Sequence, residues 1–286
     1  MSIRVENLVH IYSKGTPFEK TALDNVSFEI PDGDFVGIIG HTGSGKSTLI
    51  QHLNGLVKAD SGKIYIDGED ITQKSVNLTK IRGKVGIVFQ YPEYQLFEET
   101  VYKDIAFGPN NLGFSADETD KIIHEVIKLV GLKESVLNSS PFELSGGQKR
   151  RVALAGVIAM NPEILILDEP TAGLDPKGRD EILGQIKRLH DEKGITVVWI
   201  SHSMEDVAKI AKNVMVMADG KLIMHASVDD VFKNAELLEK NGLSVPQINK
   251  VVRKLKEKGI DLGENIYTVE KAKNAVLNYI KGERNA

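Results

Sequence analysis

The 286-residue chain has no cysteine. That one absence excludes disulfides, zinc–thiolate centres and a cysteine nucleophile. It has no excess of positive charge either. Thirty-six Lys and Arg stand against 40 Asp and Glu, and the formal net charge of −4 argues against a general nucleic-acid binder. No segment approaches the roughly 20 consecutive apolar residues that cross a bilayer. Met1-Ser2-Ile3-Arg4-Val5-Glu6 lacks the apolar stretch of a signal peptide. The expectation is a cytosolic chain that reaches a membrane only through a partner. What is present is an ordinary globular balance, 41% hydrophobic and 27% charged, enough for one large domain or a domain plus an extension.

Gly40-His41-Thr42-Gly43-Ser44-Gly45-Lys46-Ser47 fits G-x-x-x-x-G-K-[ST], a phosphate-binding loop. The three glycines let successive N–H groups point inward and remove Cβ atoms that would hold phosphates off. Lys46 can reach the β- and γ-phosphates, and Ser47 offers a hard oxygen to Mg²⁺. The flanks agree. Phe35 to Ile39 reads as a buried strand, and Thr48 to Leu53 continues as a helix whose N-terminus favours negative charge.

Strands are predicted over Ile3–Val9, Leu23–Ile30, Gly62–Gly68, Val85–Phe89, Ile164–Leu167 and Ile195–Ile200, with a hairpin around Asp219-Gly220. Residues 100–161 read as mainly helical, with a capping box at Ser115 to Glu118. Asp175 and Pro176 open a helix whose buried face is Ile182, Leu183, Ile186 and Leu189. Beyond about Ser227 two amphipathic faces follow, Ile248, Val251, Val252 and Leu255, then Ala272, Val276, Tyr279 and Ile280. Each packs on the main domain or meets a partner. Alternating strands and helices imply an α/β fold with a mostly parallel sheet, whose ligands sit at the carboxyl ends of strands.

The polar candidates fall at those ends: Gly40, Gln90, Asp168, Glu169 and His202. Asp168 closes an apolar strand and can hold Mg²⁺. Glu169 points elsewhere and can orient an attacking water or take its proton. Gln90 can bridge metal, water and a neighbouring loop through its amide. His202 is placed to meet a γ-phosphate. The blander readings are an acidic pair in a surface turn, a polar strand-end glutamine and a structural histidine. Tyr12 offers a flat face for a purine or is a half-buried strand-end tyrosine, and spacing leaves the two open. Ser145-Gly146-Gly147-Gln148 is a second phosphate-binding surface at a helix start. One nucleotide does not need two cradles from one subunit. A head-to-tail dimer, each chain presenting Ser145–Gln148 to its partner's nucleotide, resolves the excess.

Taken in order, Gly40–Ser47, Gln90, Leu144–Gln148, Ile164–Glu169, Gly173-Leu174-Asp175 and His202 resemble the full motif set of ATP-binding cassette (ABC) ATPases over residues 1 to about 225. The resemblance implies a P-loop NTPase cassette: a RecA-like core with a parallel sheet, an antiparallel β part and a helical subdomain. The cassette would span residues 1–226, with the helical subdomain at about 100–161, and a C-terminal helical extension would cover 227–286. It implies ATP and Mg²⁺ as ligands. Tyr12 would stack on adenine, Gly40, His41, Thr42, Gly43, Ser44, Gly45, Lys46, Ser47 and Thr48 would bind the phosphates, and Ser145, Gly146, Gly147 and Gln148 would reach the partner's nucleotide. Ser47, Gln90 and Asp168 would serve the metal, while Glu169, His202 and Gln90 would serve hydrolysis. Leu174 and Asp175 would lie at the dimer interface.

A narrower likeness is carried by Gly15–Glu19, Phe89–Phe97 and Asp104–Pro109, which look like the ATPase subunits of energy-coupling factor (ECF) importers for cobalt, nickel or vitamins. That likeness implies a second ABC ATPase, alike or similar, a transmembrane coupling subunit beside the loop Tyr91–Phe97, and a separate membrane protein that binds the substrate. It implies a peripheral location on the cytoplasmic face of the cell membrane. Within transport, the competing reading is the ATPase of another ABC importer with a regulatory tail; export would need a membrane domain that this sequence does not carry. Readings outside transport fit less well. A soluble ABC ATPase of DNA or ribosomes usually carries two cassettes or a long coiled-coil insertion, and no long heptad run lies between Lys46 and Asp168. A kinase would leave Leu144–Gln148 without a role.

Overall fold

The computed structural model describes residues 1–284. The chain opens with β1 (Ile3–Tyr12) and β2 (Lys20–Ile30), paired antiparallel, then β3 (Phe35–Gly40) and α1 (Lys46–Leu53). Next come β4 (Ser61–Ile66), the short β5 (Glu69–Asp70), α2 (Leu78–Lys84) and β6 (Val85–Val88). A helical block follows: α3 (Val101–Asn111), α4 (Ala116–Leu129) and α5 (Gly146–Ala159). The core resumes with β7 (Ile164–Asp168), α6 (Pro176–Lys193), β8 (Thr196–Ile200), α7 (Met204–Ile210), β9 (Asn213–Ala218) and β10 (Lys221–Ser227). Four helices end the chain: α8 (Val228–Lys233), α9 (Ala235–Lys240), α10 (Gln247–Glu257) and α11 (Val269–Arg284).

Two sheets result. The outer one is antiparallel in the order β2-β1-β4-β5. The inner one runs β10-β9-β3-β8-β7-β6, parallel except for the β9–β10 hairpin. A parallel sheet is covered on both faces, so its strands are apolar throughout. Every residue of β3, β7 and β8 is buried. Alternate side chains serve opposite cores. Ile164, Ile166, Val198 and Ile200 pack toward the outer sheet's Ile3, Val5 and Phe28. Leu165, Leu167, Val197 and Trp199 pack toward Ile105, Val126, Val152 and Ile186 of the helices. The sheet is thereby clamped, and its carboxyl edge is left free to carry a site.

The predicted caps form. Ser115 and Glu118 make a reciprocal capping box, Asp175 accepts the Gly178 N–H at 2.8 Å, and Gly194 ends α6 at φ +65°. β1 extends three residues past the expected Val9, because His10, Ile11 and Tyr12 pair with Leu23, Thr21 and Lys20. Register shifts along that pair break the alternation on which the sequence reading relied.

The tail is tied in two ways. Phe232, Leu238, Leu243, Val245 and Tyr267 join the main core. Val252, Ile266 and Ala272 form a small core of their own. Of the expected α10 face only Val252 is buried, and Val251 is exposed, as are Val276 and Ile280 of α11. The last two residues of the expected 227–286 extension, Asn285 and Ala286, lie outside the described residues.

Candidate active site at the strand ends

Gly40 closes β3 and Lys46 opens α1, so the phosphate loop is a strand-to-helix turn. Its glycines do two different jobs. A Cβ on Gly40 would lie 2.4 Å from the Met217 carbonyl oxygen, and one on Gly45 would lie 2.5 Å from that of Ala22. Those two are also required by close packing against β9 and β2, a duty the sequence reading did not include. Gly43, at φ +82°, meets only the end of Lys20 and faces open space. It is the glycine whose backbone a ligand can approach.

Lys46 is buried, and its Nζ donates to the carbonyls of Gly40 at 2.8 Å and His41 at 3.0 Å. Burial pulls its pKa down, while the charges of Glu169 and Asp168 push it back up. The ammonium is held against the loop it serves. Ser44 is fully buried with no partner for its hydroxyl. Thr42 is exposed, and His41 turns away toward Asp219, with Nε2 3.4 Å from Oδ1. Thr48 Oγ1 lies 3.2 Å from the Tyr12 hydroxyl. Tyr12 is 43% exposed, its ring set edge-on to His10. Tyr12, Gly43, Gly45, Lys46, Ser47 and Thr48 line one cavity with Lys20 and Ala22. The sequence reading missed the last two. They belong to the site through the Tyr12–Lys20 pairing, and no local pattern announces that register.

Asp168 is buried at the end of β7, hydrogen-bonded to Ser47 and close to Lys46. Burial raises its pKa above the ordinary carboxylate value, partly offset by the Ser47 hydrogen bond and the Lys46 and His202 charges. Glu169 follows at φ +50°, a backbone state unusual for glutamate, with its N–H on the Ile200 carbonyl at 3.1 Å. The turn swings its carboxylate between two neighbours. His202 Nε2 is 2.7 Å from Oε1, and Gln90 Nε2 donates to Oε2 at 3.4 Å. Strand ends from β6, β7 and β8 thus bring Gln90, Glu169 and His202 together.

Ser145, Gly146, Gly147 and Gln148 stand apart. Ser145 caps α5, accepting the Gln148 N–H at 3.4 Å, and Gln148 Oε1 accepts the Ser145 N–H at 3.0 Å. This reciprocal box follows the S-x-x-Q signature and was legible, yet the motif was read only as a phosphate surface. A Cβ on Gly146 or Gly147 would meet nothing within 4 Å. Among the described residues no hydrogen bond or ion pair joins this motif to the phosphate loop. The start of α5 is thus left open on the side of Gly146 and Gly147.

Fold and site define a nucleoside triphosphatase with a glycine-rich phosphate loop and a carboxylate at the neighbouring strand end. The family profile described as "ABC transporter" matches residues 23–172. The chain belongs to the ABC transporter family and is one of its ATPases. It is 60% identical to the "Energy-coupling factor transporter ATP-binding protein EcfA2" of Clostridium tetani over 278 residues, 97% of this chain and 96% of that one. It is 56% identical to the protein of the same name from Caldanaerobacter subterraneus subsp. tengcongensis, with both chains covered in full. Among solved structures it resembles cbiO1 of Clostridium perfringens, described as part of the ABC transporter complex cbiONQ. There the TM-score is 0.74 and the identity 39%, over 88% of this chain and 98% of that one. A dimeric post-hydrolysis ATP-binding cassette, MJ0796 bound to ADP and Pi, aligns at TM-score 0.71 and 32% identity, over 79% and 98% of the two chains.

Proposed function

We propose that the chain is the ATP-hydrolysing subunit of an ECF-type importer for cobalt, nickel or a vitamin. On this reading it works with a second ABC ATPase, a transmembrane coupling subunit and a membrane substrate-binding subunit. The observation that carries the reading is 60% identity along nearly the whole chain to a protein bearing that name. The likeness to cbiO1 of a cbiONQ complex supports it. No described helix is long and apolar enough to cross a membrane, which is consistent with this reading. We read residues 1–226 as the nucleotide-binding unit, residues 100–161 as its helical subdomain, and 227–286 as an extension.

ATP would lie with its adenine on Tyr12 and its phosphates over Gly40 to Thr48. Lys46 would neutralise the β- and γ-phosphates, and the N-terminus of α1 would add its partial charge. The donor set suits Mg²⁺: the Ser47 hydroxyl, the buried Asp168 carboxylate and the Gln90 amide all offer hard oxygens. When bound, Mg²⁺ would be held by these residues and would supply positive charge to offset the charge that develops in hydrolysis. Glu169 would align a water for in-line attack on the γ-phosphate and accept its proton. His202, which must carry hydrogen on Nε2 to donate to Glu169, would orient that carboxylate and turn to the γ-phosphate as it arrives. The partner's Ser145–Gln148 would close over the same nucleotide, offering the Gly146 and Gly147 N–H groups that the capping box leaves unused.

The test is affinity capture of the tagged chain from its native membranes, with the co-purifying subunits identified. A polytopic scaffold with a small apolar binding protein is expected. Ribosomal or DNA-repair proteins without membrane partners would overturn the reading.

A further inference from the structure

Lys20 is a second cation at the mouth of the phosphate loop. It opens β2 and stands directly across the ladder from Tyr12, the last residue of β1. Residues paired in this way on antiparallel strands send their side chains to the same face. Lys20 and the Tyr12 ring accordingly line one cavity with Gly43, Gly45, Lys46 and Ser47. The ammonium reaches the loop itself. A Cβ on Gly43 would lie 3.9 Å from Lys20 Nζ and would meet nothing else within 4 Å. The charge therefore stands over the stretch of loop backbone that a ligand can approach most closely.

No acid of the chain neutralises that charge. Lys20 is exposed and, among the described residues, makes no hydrogen bond or ion pair. The carboxylates around it are turned elsewhere. Glu19, its neighbour, accepts the Gly15 N–H at 2.7 Å through Oε2. Asp24 of β2 pairs with Lys221 at 3.2 Å. Asp219, in the turn whose Gly220 packs on Ala22, faces His41 at 3.4 Å. Lys46 is in the opposite condition, buried and already donating to two loop carbonyls.

We propose that Lys20 is a specificity-determining residue of the nucleotide site: its ammonium holds the phosphates that ATP and ADP share. The proposal rests on the reading above that adenine lies on Tyr12 and the phosphates over Gly40 to Thr48. A ligand laid along that path meets Lys20 after the base and before the end marked by Glu169 and His202. A contact made alike before and after the γ-phosphate leaves stabilises substrate and product equally. Lys20 thus selects phosphorylated nucleotides over nucleosides and sets how tightly ADP is kept, without entering the hydrolytic step. Because the ammonium is exposed, salt screens the contact.

Displacement of a fluorescent ADP analogue from the full chain by ATP, ADP and adenosine tests this, with ATP measured in a Glu169→Gln background so that it persists. Lys20→Met keeps the stem and removes the charge. It should weaken ATP and ADP alike by about five- to twentyfold, the range for a charged hydrogen bond weakened by exposure to water. Adenosine should bind as it does to the parent. The loss should shrink as ionic strength rises. Lys20→Arg, which keeps the charge, should bring both nucleotides to within about twofold of the parent. In hydrolysis by the captured assembly the cost should fall on KM and not on kcat. Unchanged ATP and ADP affinities in Lys20→Met overturn the proposal. So does a loss confined to ATP, which would put the charge at the γ-phosphate, or an equal loss for adenosine, which would make Lys20 a support for the Tyr12 ring. A parent chain whose ATP affinity is indifferent to Tyr12→Ala sinks the placement of the nucleotide itself. A parent that needs Tyr12 and is indifferent to Lys20→Met sinks the Lys20 proposal alone.

Discussion

His202 Nε2 lies 2.7 Å from Glu169 Oε1 while Gln90 Nε2 donates to the other oxygen. Both oxygens of the carboxylate are engaged before any water arrives. The arrangement orients Glu169 and occupies both its oxygens; on the function proposed above, a γ-phosphate that drew His202 away would free one oxygen for the attacking water. Glu169→Gln keeps the side-chain size, turns one acceptor into a donor and removes the base. It should lower turnover by about 10²–10⁴-fold with ATP affinity retained, and single-turnover kinetics on the captured assembly check both.

Asp168 gives a prediction with a sign. Its folded-state pKa is raised by burial, so the folded chain prefers the protonated form. The stability this group contributes is present below the ordinary carboxylate value and is lost as pH rises through the raised one. At neutral pH the ionised carboxylate therefore destabilises the nucleotide-free chain. Asp168→Asn should raise its melting temperature at pH 7.5 by about 2–4 °C for each kcal/mol relieved. The gain should shrink as pH falls below the raised value. The same variant should lose Mg²⁺-dependent turnover. Melting curves across pH, without nucleotide, give the answer.

The glycines separate packing from recognition. Gly45→Ala forces a Cβ against the Ala22 carbonyl at φ +101° and should destabilise by about 1–3 kcal/mol in urea unfolding. Gly146→Ala meets nothing in its own chain and sits at a helix start. It should leave stability within about 0.5 kcal/mol and still depress turnover, because its Cβ would meet the partner's nucleotide. Equal turnover in Gly146→Ala would count against the head-to-tail arrangement.

Ser145 is both cap and ligand surface. Ser145→Asp keeps an N-cap acceptor, so unfolding should change by less than about 1 kcal/mol. The added negative charge should abolish ATP-dependent closure. Ser145→Ala should reverse the pattern, losing about 1 kcal/mol of stability while closing more readily than the aspartate variant. Urea titrations paired with sizing in ATP distinguish them.

Tyr12 tests the adenine platform. Tyr12→Phe loses only the contact to Thr48 and should leave the KM for ATP nearly unchanged. Tyr12→Ala loses the ring and should raise it by roughly 1–3 kcal/mol in binding terms, about 5- to 160-fold.

Much of the fold was open to the sequence because its signals are local. Gly194 as a helix stop, Asp175 as a cap and the apolar run before Asp168 each specify themselves within a few residues. What escaped was non-local. Lys20 and Ala22 reach the site only through strand pairing across register shifts, and Arg150 meets Glu93 across 57 positions. The packing duty of Gly40 and Gly45 escaped for the same reason. Their tight neighbours, Met217 and Ala22, lie far away in sequence. Gln90 and Glu169 were both singled out, but their bond to each other depends on β6 lying beside β7.

The central claim is that this chain closes with a second cassette over ATP inside a membrane assembly. Native mass measurement of the assembly captured with the Glu169→Gln chain, in ATP and Mg²⁺, tests it most directly. The account predicts two cassette ATPases, two trapped nucleotides and at least one membrane-spanning subunit in a single particle. A particle with one cassette, or two cassettes free of any membrane protein, would contradict it.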